Sequence, residues 1–189
     1  MNLELLEQQL AFIREAERLK NVLRSGHTSQ GRCESTAEHS WRLCLMVLVF
    51  ARELEGLDLG RLLQICIIHD LGEAISGDIP AVLQHAVPDK SERERRDLLQ
   101  LLAPLPSDQQ QRFVDLWDEY EQARTPEARA AKALDKLETI IQHNQGANPP
   151  DFDYPFNLEY GRKYTNAAPL FAQLRALVDA DTRRRAAEA

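Results

Sequence analysis

The chain has 189 residues, 43% of them hydrophobic, and a formal net charge of −7. That length supports a single domain with a substantial core, whereas the acidic balance opposes a broad nucleic-acid track, which would have to be built against the protein's own field. Glu4 and Glu7 stand where a secretory signal carries basic residues, and the longest apolar run, Leu43 to Ala51, is too short to span a bilayer. A cytoplasmic protein with neither a membrane nor a nucleic-acid partner is expected. Cys33, Cys44 and Cys66 are odd in number and lack a Cys-x-x-Cys pair, which argues for reduced thiols rather than a disulfide framework or zinc ribbon.

Apolar residues recur at helical spacing in nearly every segment, so an all-α fold is expected. A first helix runs from about Leu3 to Leu19, followed by a polar loop from Arg24 to Arg32. Ser35 and Glu38 have the spacing of a capping box, opening a second helix that lasts to about Glu55 with Gly56 as its stop. A third starts near Asp58, carries Leu59, Leu62, Ile65, Cys66 and His69 on one stripe, and ends around Gly72. Beyond the Gly77-Asp78-Ile79-Pro80 turn come a charged helix from Lys90 to Leu102, one opened by a Ser107 cap, and one opened by Thr125-Pro126. The stretch from Asn144 to Pro169 reads as long and irregular, the kind that serves as a lid or an interface arm, and a last helix covers Ala168 to Arg184.

His69 and Asp70 end a very apolar helix, where an ionised carboxylate is costly unless something pairs with it. A divalent cation is the obvious partner. His39 heads the stripe His39, Leu43, Met46, Phe50 and therefore faces inward, although a lone inward histidine is more often a core residue bonded to a carbonyl than a ligand. Glu73 follows His69 by four residues and Asp70 by three, so it can act as ligand, general base or cap. Asp78 is either a second acid of the site or a turn residue bonding its own backbone. Asp135 lies opposite the stripe Ala130, Leu134, Leu137 and Ile141, so periodicity alone makes it solvated.

Taken in order, Ser35-Thr36-Ala37-Glu38-His39, His69-Asp70-Leu71-Gly72-Glu73, Gly77-Asp78-Ile79-Pro80 and Lys132-Ala133-Leu134-Asp135 resemble the motifs of the HD-domain phosphohydrolases, and within them the 5′-deoxynucleotidase branch. The likeness runs from about Leu19 to Asp135. It implies one helical-bundle domain over residues 1–189, with a metal-site core at about 20–145 and an aromatic-rich loop and final helix over 146–189. It also implies a divalent metal held by His39, His69, Asp70 and Asp135, catalytic acids at Glu73 and Asp78, phosphate contacts from Arg24 and Lys132, and a homodimer. Some members carry a tryptophan after the arginine, where this chain has Ser25-Gly26-His27.

Two imidazoles and two carboxylates suit Mn²⁺, Co²⁺, Fe²⁺ or Zn²⁺, with Mg²⁺ less comfortable against two nitrogens. The activity so implied is removal of the 5′-phosphate from a small nucleotide, a (deoxy)ribonucleoside monophosphate. Related HD proteins also act on triphosphates, alarmones and cyclic dinucleotides, but the Gly-Tyr-Pro motif of the last class is absent and the chain is short for the triphosphohydrolases. A non-catalytic helical scaffold is the third reading, opposed by the completeness of the six acid and histidine positions.

Overall fold

A computed structural model describes residues 2–86 and 89–188. Helix α1 (Leu3–Ala16) is capped by the Asn2 side chain and passes into a 3-10 turn at Glu17–Asn21, ending earlier than the expected Leu19. The segment read as a polar loop is a hairpin, in which β1 (Leu23–His27) pairs antiparallel with β2 (Cys33–Ser35) and Gly31 takes φ 80° in the turn. Strands this short offer too few residues for alternation to show. This hairpin is the one departure from the all-α expectation among the described residues.

The capping box forms as read: Glu38 N donates to Ser35 Oγ, and Ser35 N donates to Glu38, opening α2 (Thr36–Val49). The helix stops short of the expected Glu55, because tight turns from Phe50 onward tuck Leu54 into the core. Helix α3 (Leu59–Ile68), capped by Asp58, likewise ends before Gly72. Tighter bonds, from Leu71 N to Ile68 O and from Glu73 N to Asp70 O, then lead into α4 (Glu73–Ser76).

Helix α5 (Lys90–Leu102) has the expected bounds. It also explains Gly72, which was read as a helix stop. That residue has an ordinary helical φ of −62°, but a Cβ there would lie 2.5 Å from the Glu94 carbonyl oxygen of α5. Gly72 therefore serves close packing.

Helix α6 (Ser107–Gln122) takes Pro106 at its cap position, so Ser107 is its first helical residue and not the cap. Thr125 caps α7 (Pro126–Gln145), with Pro126 at the first position.

The stretch from Asn144 to Pro169 is built rather than irregular. It contains a 3-10 turn at Pro155–Leu158 and α8 (Arg162–Thr165) before α9 (Pro169–Glu188). Arg175 of α9, 2% exposed, pins it by donating to Tyr160 O and Asn157 O, both at 2.6 Å, while its Nε pairs with Asp179 at 2.6 Å. A buried guanidinium with every contact satisfied is a strong restraint. The segment lies on its own chain, as a wall of the site described below.

Helix α7 packs against α2, α3, α6, α8 and α9 and is the centre of the bundle. Its small residues Ala128, Ala131 and Ala133 let neighbours approach, and Leu134, Leu137 and Ile140 are fully buried against Leu43, Val47, Leu62 and Ile65. Each such side chain contributes about 1.5–3 kcal/mol through burial.

Replacing Gly72 by Ala is expected to force α4 from α5 and to lower unfolding free energy by about 1–3 kcal/mol, since inserted atoms in a packed contact displace backbone. Urea denaturation of wild type and variant reads the difference.

Candidate metal centre

Three elements bring the four expected ligand residues together. His39 comes from the first turn of α2, His69 and Asp70 from the end of α3, and Asp135 from the middle of α7. His69 Nε2 lies 3.1 Å from Asp70 Oδ2, and His39 Nε2 lies 3.3 Å from Asp135 Oδ1 and 3.7 Å from Asp70 Oδ2. His39, His69 and Asp70 offer ligand atoms all within 4.8 Å of one another. Asp135 is 4% exposed, which corrects its reading as a solvated residue. Helix α7 is buried on both faces, and the apolar stripe marks only one of them.

The histidine tautomers follow from their outer contacts. His69 Nδ1 lies 2.8 Å from Cys66 O, a group that can only accept, so this nitrogen carries the proton. His39 Nδ1 donates in the same way to Glu138, which is fully buried and also receives Arg42 Nε at 2.5 Å. Both Nε2 atoms are buried, with no hydrogen-bond partner among the described residues. Two imidazoles so oriented, with two carboxylates between them, are the donor set of a divalent-metal centre. The residues fit such an ion.

Electrostatics point the same way. Burial and Arg24 pull the His39 imidazole towards lower pKa, yet Glu138 and Asp135 outweigh them and raise it to about 10. The carboxylates thus favour positive charge at Nε2, which a proton or a cation can supply. Asp70 is held below its ordinary value: burial opposes ionisation, but His69, His39 and Arg24 overcome it. Tyr120 donates to Asp135 Oδ2 at 2.5 Å, and Lys136 Nζ lies 2.9 Å from the same atom.

A cavity of about 280 Å³ opens beside these groups, and Glu73, Asp78, Arg24 and Lys132 are among the residues that line it. Glu73 is buried and accepts from Thr36 Oγ1 at 3.2 Å. Its carboxyl is raised well above the ordinary value, by burial first and then by Asp70 and Asp78, and burial likewise raises Asp78. Arg24, on β1, stays charged, with Nη1 3.6 Å from Asp70 Oδ2, Nε 3.5 Å from Glu34 Oε2 and Nη2 donating to Thr139 Oγ1 at 3.0 Å. Lys132 Nζ sits 3.8 Å above the Tyr120 ring and 3.2 Å from Glu121 Oε1.

Glu138, Lys90, Lys136 and Tyr120 of the site were not singled out from the sequence. A signal for the first was available: Lys132, Asp135, Glu138, Thr139 and Gln142 form a second, polar stripe on α7, and all are buried.

A family model described as HD domain matches residues 16–175. The 5′-deoxynucleotidase HDDC2 of Bos taurus is 34% identical over 72% of this chain, and the match spans 66% of that relative's own length. Among solved structures, the "predicted metal-dependent phosphohydrolase" of Magnetospirillum magnetotacticum is 34% identical, with a TM-score of 0.83 over 96% of this chain and 94% of that one. The cyanophage S-2L HD phosphohydrolase DatZ, solved with dA and one catalytic Zn²⁺ ion, shares the fold at 19% identity, with a TM-score of 0.59 over 93% of this chain and 96% of that one.

Replacing Glu138 by Gln removes the charge behind His39 without removing the side chain. Outer partners of ligating histidines are worth about 10–100-fold in metal affinity. A chelator-competition titration is expected to show a loss of that size, and an unchanged affinity would make Glu138 a packing residue only.

Proposed function

This chain belongs to the HD-domain family, and we propose that it is a divalent-metal-dependent phosphohydrolase that removes the 5′-phosphate from deoxyribonucleoside monophosphates. The carrying observation is the pair of buried imidazoles whose Nδ1 protons are committed to Cys66 and Glu138, so that both Nε2 atoms converge on Asp70 and Asp135 beside a cavity holding Arg24. The substrate class is that in the name of the Bos taurus relative. Mn²⁺, Co²⁺, Fe²⁺ and Zn²⁺ all suit the donor set.

In this reading His39, His69, Asp70 and Asp135 hold one ion, which when bound supplies Lewis-acid neutralisation of charge on a phosphoryl oxygen. Arg24 presents its guanidinium to the remaining phosphoryl oxygens, and Lys132, which lines the same cavity, adds a second cation. Glu73 takes the proton of the attacking water. Its raised proton affinity is the direction that makes a carboxylate an effective base near neutral pH. Asp78, on the same cavity wall, passes a proton to the departing 5′-oxygen.

The reading includes a cytoplasmic location and a homodimer. Three free thiols fit a reducing compartment, and no helix among the described residues is long and apolar enough to cross a membrane. Trp41, Leu45 and Leu48 expose an apolar stripe of α2, which a second copy would cover. Light scattering is expected to return twice the chain mass, falling to the single mass in Trp41→Glu; a single mass for the wild type would remove the dimer.

The test of activity is phosphate release from 5′-deoxyribo- and ribonucleoside monophosphates by chelator-stripped protein given Mn²⁺, Co²⁺ or Mg²⁺. Release from the deoxy compounds, abolished in Asp70→Ala, is expected. Glu73→Gln should bind metal yet lose about 10²–10⁴ in turnover. Silence across the panel with metal bound would move the substrate to another phosphate class.

A further inference from the structure

A second cavity, of about 310 Å³, adjoins the one that contains the acids and shares Ser25, Ala81 and His143 with it. Its chemistry is different. The first is ringed by carboxylates, lysines and a guanidinium, whereas Phe152, Phe156, Val82 and Pro149 line the second, which has no lysine or arginine in its lining and whose two acids are Asp151 and Asp153, the latter accepting from Phe156 N at 3.1 Å. Phe152 is a fixed wall: its ring lies edge-on to His143 at 4.9 Å and 75°, and 5.0 Å from Tyr154. Tyr154 is buried, and its hydroxyl receives Asn148 Nδ2 at 3.1 Å and Arg185 Nη2 at 3.0 Å.

From this geometry we infer that the Phe152–Phe156 cavity seats the nucleobase of the substrate, with the sugar at the waist formed by Ser25, Ala81 and His143. The inference rests on the phosphohydrolase reading and deepens it, because it makes the base a determinant of turnover. A nucleoside 5′-phosphate is charged at one end and carries a flat ring with apolar faces at the other, as the two cavities do. Stacking on aromatic side chains accepts any base, because every base has a π-face.

Polar groups in the second cavity match a base edge and a sugar. Asn157 lines it and is fully buried; its Oδ1 lies 2.9 Å from His143 Nδ1, while its Nδ2 has no hydrogen-bond partner among the described residues. A buried donor left unpaired is costly, and a ring nitrogen or carbonyl of a base supplies the missing acceptor. Burial pulls His143 down to about 4, so the ring is neutral near pH 7. With its Nδ1 proton given to Asn157, Nε2 is an acceptor at the waist, where a sugar hydroxyl can donate. Gly26 makes room for that ring, since a Cβ there would lie 3.0 Å from His143 Cδ2.

The test compares kcat/KM for 2′-deoxyadenosine 5′-monophosphate with that for 2-deoxyribose 5-phosphate, which carries the same ester and no base. Wild type is expected to favour the nucleotide. Phe152→Ala, and Val82→Trp at an exposed position facing the cavity, should each lower that ratio about tenfold or more; thermal melts confirm that both are folded. A ratio near one in wild type, or one unchanged in both variants, overturns the inference and leaves the phosphohydrolase reading standing. If neither ester is hydrolysed with any metal, calorimetric binding of deoxyadenosine decides. Binding lost in both variants supports the base site while the activity reading falls; no binding, or equal binding in all three proteins, overturns the base site as well.

Discussion

Asp70, Asp135, Glu73 and Glu138 are gathered into one helical bundle, with Glu138 fully buried, Asp135 and Glu73 nearly so and Asp70 partly buried. Carboxylates cannot be ionised there without positive charge at hand. Arg24 reaches in from the hairpin, Arg42 from α2 and Lys136 from α7, and the two imidazole Nε2 atoms leave a gap whose surroundings favour one more cation. The arrangement of α2, α3 and α7 around that gap is the constraint the rest of the chain accommodates.

Packing makes the arrangement possible. The alanines of α7 allow neighbouring helices to close in, and Leu134 and Leu137 hold the helix from its apolar side while its polar stripe faces the site. Gly72 lets α4 pack onto α5, which fixes where Glu73 begins its helix. The capping box at Ser35 sets the start of α2 and so the direction from which His39 enters. In each case a local rule of helix formation is also what aims a functional side chain.

The segment from Asn144 to Pro169 shows how stability and recognition share residues. Arg175 and Asp179 anchor it from α9, Tyr154 is held by Asn148 and Arg185, and the anchored segment presents Phe152, Phe156 and Asn157 to a cavity beside the acids. A segment restrained this way keeps its side chains in place before any ligand arrives, which reduces the ordering cost of binding.

Much of this was legible in the sequence. Hydrophobic periodicity marked the helices and the inward faces of His39 and His69, and capping chemistry marked the starts of α2 and α7. The motif order carried the family. Local signals failed where the outcome depended on residues distant in sequence. Gly72 is required by the Glu94 backbone, Asp135 is buried because α7 is covered on both faces, and the hairpin and the 146–169 wall are held by contacts with α7 and α9. Helix positions and the donor chemistry were thus determined by the sequence itself, since propensity, capping and period act within a few residues. Which imidazole nitrogens converge, which acids share one cavity and which aromatics stand beside it were decided by tertiary structure, because burial and charge pairing depend on which elements meet.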